Sequence, residues 1–137
     1  MRYHTMLTRA VAVAVVAVAL AGCATLTFVK PRLAPPIPNS DGVVTFHFYA
    51  PYATLVQLGG DWEDNRWLAG TAQIAGARVG SMGGPDKGGI WALTVKLPPG
   101  RHQYKFRIDS NTWKDDPNNP ERVDDGFGGF NSLVVVK

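Results

Sequence analysis

The sequence has 137 residues, which is enough for one small domain and a targeting segment but too few for a large catalytic barrel. Its 15 Gly and 10 Pro residues, with short β-branched and aromatic runs, favour an all-β domain with many turns. The net charge is +3, and without Arg2 and Arg9 of the expected leader 12 basic residues face 11 acidic ones. Because the sequence contains no basic cluster to neutralise phosphates, we expect no nucleic-acid partner.

Residues 1–22 are typical of an export signal. Arg2, His4 and Arg9 precede an unbroken run of Ala, Val and Leu over residues 10–21. This run is too short to cross a hydrocarbon core of ~30 Å as a helix. It matches the apolar part of a signal peptide, for which we expect a helix.

The signal ends in Leu-Ala-Gly-Cys, and Cys23 is the single cysteine of the chain. This pattern resembles a bacterial lipobox, in which the cysteine is lipidated with diacylglyceryl and palmitate-type chains and becomes the mature N-terminus. Ala24 follows instead of Asp, which by resemblance to Gram-negative sorting implies the outer membrane, on its periplasmic or surface side. We therefore expect a lipid-anchored protein of the cell envelope. The alternative is that Cys23 is only a small residue near an ordinary cleavage site.

Residues 23–41 are expected to form a tether between the membrane and the domain. Four prolines fall within eight positions, which prevents a helix and favours an extended polyproline conformation. Phe28 and Val29 could instead pair with the domain as an extra strand. The domain itself then occupies residues 42–137.

Short runs of alternating apolar and polar residues, separated by turns, predict β-strands in this domain. The predicted strands cover residues 43–49, 54–60, 90–97, 102–109 and 133–137, with one short strand near residues 72–75 and another near Arg78. We predict irregular structure around residues 116–120 and a Gly-rich loop over residues 123–130. About seven strands at this spacing indicate an immunoglobulin-like (early-set) β-sandwich.

The strand over residues 102–109 has two different faces. Its core face is predicted to carry His102, Tyr104, Phe106 and Ile108, and its wet face to carry Gln103, Lys105, Arg107 and Asp109. A polar turn then leads to Trp113. A lysine and a tryptophan on an open sheet surface suit a flat polar ligand with apolar faces, such as a sugar.

The histidines give little support for a metal site. His47 is predicted on the outer face of its strand and His102 on the core face of another, while His4 belongs to the leader and Cys23 to the lipobox-like sequence. We therefore expect no metal and no cofactor.

The carboxylates give equally little support for catalysis. Glu63 and Asp64 are neighbours on a loop, a placement that does not set two carboxyls across a sugar. The acid pairs at residues 115–116 and 124–125 lack an adjacent base or nucleophile. We expect no catalytic residues and no enzyme activity.

Several motifs follow one another in a specific order along residues 42–137. They are Val-x-Leu-x-Gly-Asp-Trp, then Leu-Pro-Pro-Gly-x-His-x-Tyr-Lys-Phe, then Trp-x-x-Asp-Pro, and finally Asn-Ser before a Val-rich end. This order resembles the family-48 carbohydrate-binding modules. That family includes the glycogen-binding domain of the AMP-activated protein kinase beta subunit and the N-terminal domains of isoamylase-type debranching and of branching enzymes.

The resemblance implies a site for a linear α-1,4-glucan. The implied contacts are Trp67, Lys105, Trp113, Phe127 and Asn131. Two tryptophans stack on the sugar, the lysine and the asparagine bond its hydroxyls, and the phenylalanine supplies an apolar loop contact. The loop at Trp67 and the turn before Trp113 are both longer than the family pattern. Trp62 and Trp91 are expected in the core.

Two functions follow from this interpretation. The first is non-catalytic binding of an α-1,4-glucan, of glycogen or maltooligosaccharide type, or of another envelope glycan, by a membrane-anchored lipoprotein. The second keeps the fold without sugar binding, as a module that binds an envelope protein. Fold alone does not decide between them.

Overall fold

The computed structural model of the protein describes residues 29–69 and 79–137. The strands, in chain order, are β1 (Val43–Tyr49), β2 (Val56–Gly60), β3 (Ile90–Lys96), β4 (Gly100–Ile108), β5 (Thr112–Lys114), β6 (Arg122–Asp124) and β7 (Phe130–Val136). One short 3₁₀ turn covers Arg66–Leu68. Within these described ranges, no helix is both long and apolar enough to span a bilayer.

The strands form two antiparallel sheets. β1 pairs with β3 in one sheet, and the other has the order β2-β4-β7-β6. β5 pairs with residues 106–108 of β4, and β7 pairs with residues 100–104 of the same strand. This arrangement confirms the predicted all-β, immunoglobulin-like sandwich.

The core lies between the two sheets and is built from alternate residues of facing strands. Phe46 of β1 meets Tyr104 of β4 edge to face, with ring centroids 4.8 Å apart. One step along, Phe48 packs on Phe106 at 4.6 Å. The predicted core positions His102, Tyr104, Phe106, Trp62 and Trp91 are all buried, and Ile108 is half-buried.

Several strand boundaries predicted from the sequence were wrong. β2 begins at Val56 instead of residue 54, and β7 begins at Phe130 instead of residue 133. The predicted loop over residues 123–130 contains most of β6 and the first residue of β7. β6 reads Arg-Val-Asp, which is too short to show a period, and it is a strand because it pairs with β7.

Some predictions fall outside the described residues. They are the signal over residues 1–22, Cys23, and the short strands near residues 72–75 and Arg78.

The described part of the expected tether lies against the domain. Residues 29–39 form no regular secondary structure, but Pro31, Leu33, Pro36 and Pro38 are half-buried. The backbone N–H of Leu33 donates to the side-chain oxygen of Asn118 at 3.1 Å. Val29 does not form the extra strand that was the alternative prediction. Its side chain is largely exposed, and it pairs with no strand of the described chain. Phe28 lies outside the described residues.

A buried polar network fastens the segment after β5 to the sheet. The Tyr104 hydroxyl donates to an Asp116 carboxylate oxygen at 2.8 Å and accepts from the Asn119 side-chain amide at 2.9 Å. The Asp116 backbone N–H donates to the Ser132 hydroxyl at 2.6 Å. Burial raises the pKa of both Tyr104 and Asp116. The network therefore holds a neutral phenol against a carboxyl group that burial shifts towards its neutral form.

We expect Tyr104→Phe to lower the free energy of unfolding by about 1–3 kcal/mol, because it removes a buried donor and acceptor and keeps the ring. Equilibrium urea unfolding of the full-length protein measures this change. Tyr52→Phe is the matched control, since the Tyr52 side chain is 93% exposed. Equal stability of the Tyr104→Phe variant and the control would contradict the assigned role of the network.

Candidate functional site

The outer face of the larger sheet carries a cavity of ≈ 630 Å³. Its lining residues are Asp61, Trp67, Gln103, Lys105, Trp113, Asp125, Phe127 and Asn131. All five residues that the sequence singled out for a glucan site therefore line one cavity. Asp61, Gln103 and Asp125 were not predicted.

Trp67 sits in an unusual turn. Arg66, Trp67 and Leu68 all have positive φ angles, of 42°, 56° and 62°, in the left-handed region that side chains other than glycine rarely adopt. Such backbone costs of the order of 1–3 kcal/mol per residue and needs support from its surroundings. The turn is nevertheless formed, so other contacts must compensate for it.

Asn65 supplies that support. Its buried side-chain oxygen accepts the backbone N–H of Gly60 at 2.7 Å and that of Leu68, the last residue of the turn, at 3.2 Å. Its amide nitrogen donates to the Leu58 carbonyl at 2.8 Å. These bonds join the turn to β2 and so determine where Trp67 stands.

The turn before β5 positions the second tryptophan. Asp109 and Ser110 have φ angles of 48° and 66°, and positive φ at both central residues is typical of a type I′ turn, which the Asn111 backbone N–H closes by donating to the Ile108 carbonyl at 3.2 Å. The Asp109 carboxylate accepts the backbone N–H groups of Thr54 and Leu55, which lowers the pKa of Asp109. The turn places Trp113 at the cavity.

The indole of Trp113 lies directly over β2. A Cβ atom on Gly59 would fall 2.5 Å from this indole, so only glycine leaves room for it. The ring centroid of Trp113 is 6.4 Å from that of Trp67, and the two planes meet at 65°. The Arg107 guanidinium lies 5.6 Å from the Trp113 centroid and is held by the Gln57 side-chain oxygen. The two indoles form an angled apolar wall.

Polar groups from β4 and β7 form the floor of the cavity. Gln103 and Lys105 are alternate residues of β4 and so share its outer face. The side-chain amide of Asn131 donates to the Gln103 oxygen at 2.9 Å. Gln103 could have been found from the alternation of this strand, since the sequence already placed it on the wet face.

Lys105 is ion-paired to Asp125. The ammonium nitrogen donates to a carboxylate oxygen at 2.7 Å, and the two side chains are only 18% and 11% exposed. This bond, with backbone N–H donors from the following loop, lowers the pKa of Asp125 to about 2. Asp125 is therefore ionised at neutral pH.

The same aspartate organises the loop that carries Phe127. Its second carboxylate oxygen accepts the backbone N–H groups of Phe127 at 2.8 Å and Gly129 at 3.0 Å. Gly126 and Gly128 have φ angles of 79° and 85°, which allow the tight path. The Phe127 side chain is 96% exposed at the cavity. Phe127 is therefore exposed to solvent on a hydrogen-bonded loop, where a ligand in the cavity can contact it.

Asp61 completes the lining. Its carboxylate accepts the backbone N–H of Gln103 at 3.1 Å and lies 3.6 Å from a ring nitrogen of His102. Asp61 and Asp125 both sit in loops, where no local periodicity indicates the direction of a side chain. In the described ranges, no cluster of three or more His, Cys, Asp or Glu side chains is placed to hold a metal ion.

The comparison with known families agrees with this geometry. The family model described as the glycogen recognition site of AMP-activated protein kinase matches residues 52–137, more than half of the chain. The chain belongs to this glycogen-recognition family. No curated protein matches the sequence. β1 precedes the matched stretch of the glycogen-recognition module, yet it pairs along its whole length with β3 inside that stretch.

We expect Gly59→Ala to displace Trp113, because the new methyl group would occupy the space of the indole. The two indoles are close enough for their transitions to couple, so circular dichroism should show a weaker Trp–Trp signal. Gly83→Ala is the control, since a methyl group at that position would have its nearest neighbouring atom 3.8 Å away. An unchanged signal in Gly59→Ala would contradict the packing of the Trp113 indole on the Gly59 backbone.

Proposed function

We propose that this protein binds a linear α-1,4-glucan, of glycogen or maltooligosaccharide type, in the cavity described above without cleaving it. The observation that carries the proposal is the convergence of Trp67, Lys105, Trp113, Phe127 and Asn131 around one cavity, in a chain of a glycogen-recognition family. These residues come from five separate elements of the chain.

The aromatic wall supports the apolar part of the recognition. Each glucose ring has a face of C–H groups that can stack on an indole. Successive rings of an α-1,4-linked chain are tilted against each other. The 65° angle between Trp67 and Trp113 suits such a curved chain better than a flat one. Phe127 can cover the sugar from the loop side.

The polar floor supports recognition of the hydroxyl groups. The ammonium of Lys105 has three N–H donors, of which one is directed at Asp125, so others can meet a ligand. The Asn131 amide donates to Gln103 through its nitrogen, and its oxygen can accept a sugar hydroxyl. A glucose ring has apolar C–H faces and hydroxyl groups around its edge. Aromatic rings next to hydrogen-bond donors and acceptors match both.

We expect the full-length protein, purified in detergent, to bind maltoheptaose, and Trp113→Ala to weaken this binding by about tenfold or more, equivalent to about 1.4 kcal/mol. Isothermal titration calorimetry gives both affinities. Tyr52→Ala, which removes an exposed aromatic side chain outside the cavity, should bind like the wild type. A β-1,4-linked cello-oligosaccharide serves as the ligand control.

A folded wild type that ignores maltoheptaose at millimolar concentration would overturn the glucan proposal. The alternative, a module that binds an envelope protein through the same face, would then be favoured. An equal loss in Trp113→Ala and Tyr52→Ala would leave the binding in place but remove it from this cavity.

We also propose that Cys23 is lipidated and anchors the protein in the cell envelope, in the outer membrane of a Gram-negative host. The support is the Leu-Ala-Gly-Cys sequence after an apolar run of signal length. Acyl chains contribute about 0.8 kcal/mol per buried CH₂ group, and two or more chains give stable attachment.

We expect Cys23→Ala to abolish labelling of the protein by radioactive palmitate and to release it from the membrane fraction. Cell fractionation with metabolic labelling measures both effects. Thr25→Ala, a change two residues away and outside the lipobox-like sequence, should retain label and location. Membrane-bound, labelled Cys23→Ala protein would refute the anchor.

A further inference from the structure

The cavity has an unusual charge balance for a site built around a lysine. Three of its lining residues are charged, namely Lys105, Asp61 and Asp125. The Lys105 ammonium and the Asp125 carboxylate are in direct contact at 2.7 Å, so their charges cancel. Asp61 remains: one of its oxygens accepts the backbone N–H of Gln103 at 3.1 Å, and the other lies 3.6 Å from a ring nitrogen of His102. The described lining therefore carries two carboxylates against one ammonium.

A second cation beside the Trp113 ring, Arg107, is engaged outside the cavity lining. Arg107 lies by the Trp113 ring but is not among the lining residues, and two of its nitrogens donate to the Gln57 side chain at 2.8 and 3.1 Å. Within the described lining, every positive charge is thus matched by a contacting carboxylate.

Asp125 cannot easily leave Lys105 to make room for another anion. One of its oxygens accepts the lysine, while the other accepts the backbone N–H groups of Phe127 and Gly129. Rotation of the carboxyl group would break both loop bonds. Charge-assisted bonds of this kind are stronger than neutral ones. The carboxylate is fixed where an anionic ligand group would need to approach the ammonium.

We propose that Asp125 is a specificity-determining residue, which restricts the cavity to uncharged glycans and excludes glycans that carry carboxylate, phosphate or sulfate groups. The inference rests on the proposed glycan binding and narrows its ligand class. A neutral glucan needs only N–H donors from Lys105, and these remain. An anionic glycan would gain nothing from the paired ammonium and would be repelled by Asp125 and Asp61.

The test compares one neutral ligand with its charged counterpart. The probes are maltoheptaose and maltoheptaose whose C6 hydroxyl groups have been oxidised to carboxylates, titrated into the full-length protein at low ionic strength. We expect the wild type to prefer the neutral ligand by at least about tenfold. Asp125→Asn should reduce this preference by at least about tenfold, because it frees the Lys105 charge. A purely structural role would weaken both affinities together and leave their ratio unchanged.

Asp124→Asn is the matched control. It makes the same change of charge one residue away, and the Asp124 side chain accepts the Gly126 N–H at 2.6 Å but does not line the cavity. We expect it to keep the wild-type ratio. The asparagine at position 125 retains an oxygen that can accept the two loop N–H groups, so the loop should persist.

The outcomes separate the two proposals. Wild-type binding of maltoheptaose with an unchanged ratio in Asp125→Asn overturns the role of Asp125 and leaves the glucan proposal standing. Tighter wild-type binding of the carboxylated ligand overturns the inference without any variant, even if Asp125→Asn does not fold. If the wild type binds neither ligand, the glucan proposal fails and this inference fails with it.

Discussion

The alternation of side chains along β4 sets the position of everything else in the domain. β4 pairs with β2, β5 and β7, and it buries Tyr104 and Phe106 completely between the sheets. A register shift of one residue would move these rings into water and Lys105 into the core. Burying an aromatic ring stabilises the fold by about 1.5–3 kcal/mol, and an unpaired buried charge costs more than that. The hydrophobic core therefore determines where the lysine of the outer face stands.

The aromatic part of the site depends on contacts of a different kind. Trp113 needs the bare backbone of Gly59, and Trp67 needs a left-handed turn that the side chain of Asn65 ties to β2. Each tryptophan is thus placed by a small or polar residue that does not itself line the cavity. The hydrogen bonds of Asn65 stabilise the strained backbone at residues 66–68. Strained backbone of this kind is often found at functional sites. The polar residues of the floor lie on strands β4 and β7. The two tryptophans of the wall are positioned by turns that other residues stabilise.

The sequence predicted the parts of this structure that depend on local periodicity. β1, β3 and β4, and the burial of Trp91, follow from apolar alternation and were confirmed, while the burial of Trp62 was expected from the family resemblance and was also confirmed. Motif order indicated five residues that the fold brings to one cavity. β5 and β6 were missed because each has only three residues, Thr-Trp-Lys and Arg-Val-Asp, which are too few to show a period, and each is a strand through its pairing with a neighbour. The Lys105–Asp125 pair was missed because 20 positions separate its members, so no local pattern indicates it.

The ion pair also changes what it costs to cover the lysine with a ligand. A free ammonium beneath a sugar would lose hydration, and that loss would oppose binding. Here Lys105 and Asp125 are already largely removed from water and compensate each other before any ligand arrives. A neutral glycan bound as proposed would cover a pair of low net charge and would still meet the remaining N–H donors of Lys105. In that proposal Asp125 makes a charged residue suitable for an uncharged ligand, and through its bonds to the following loop it keeps Phe127 at the same cavity.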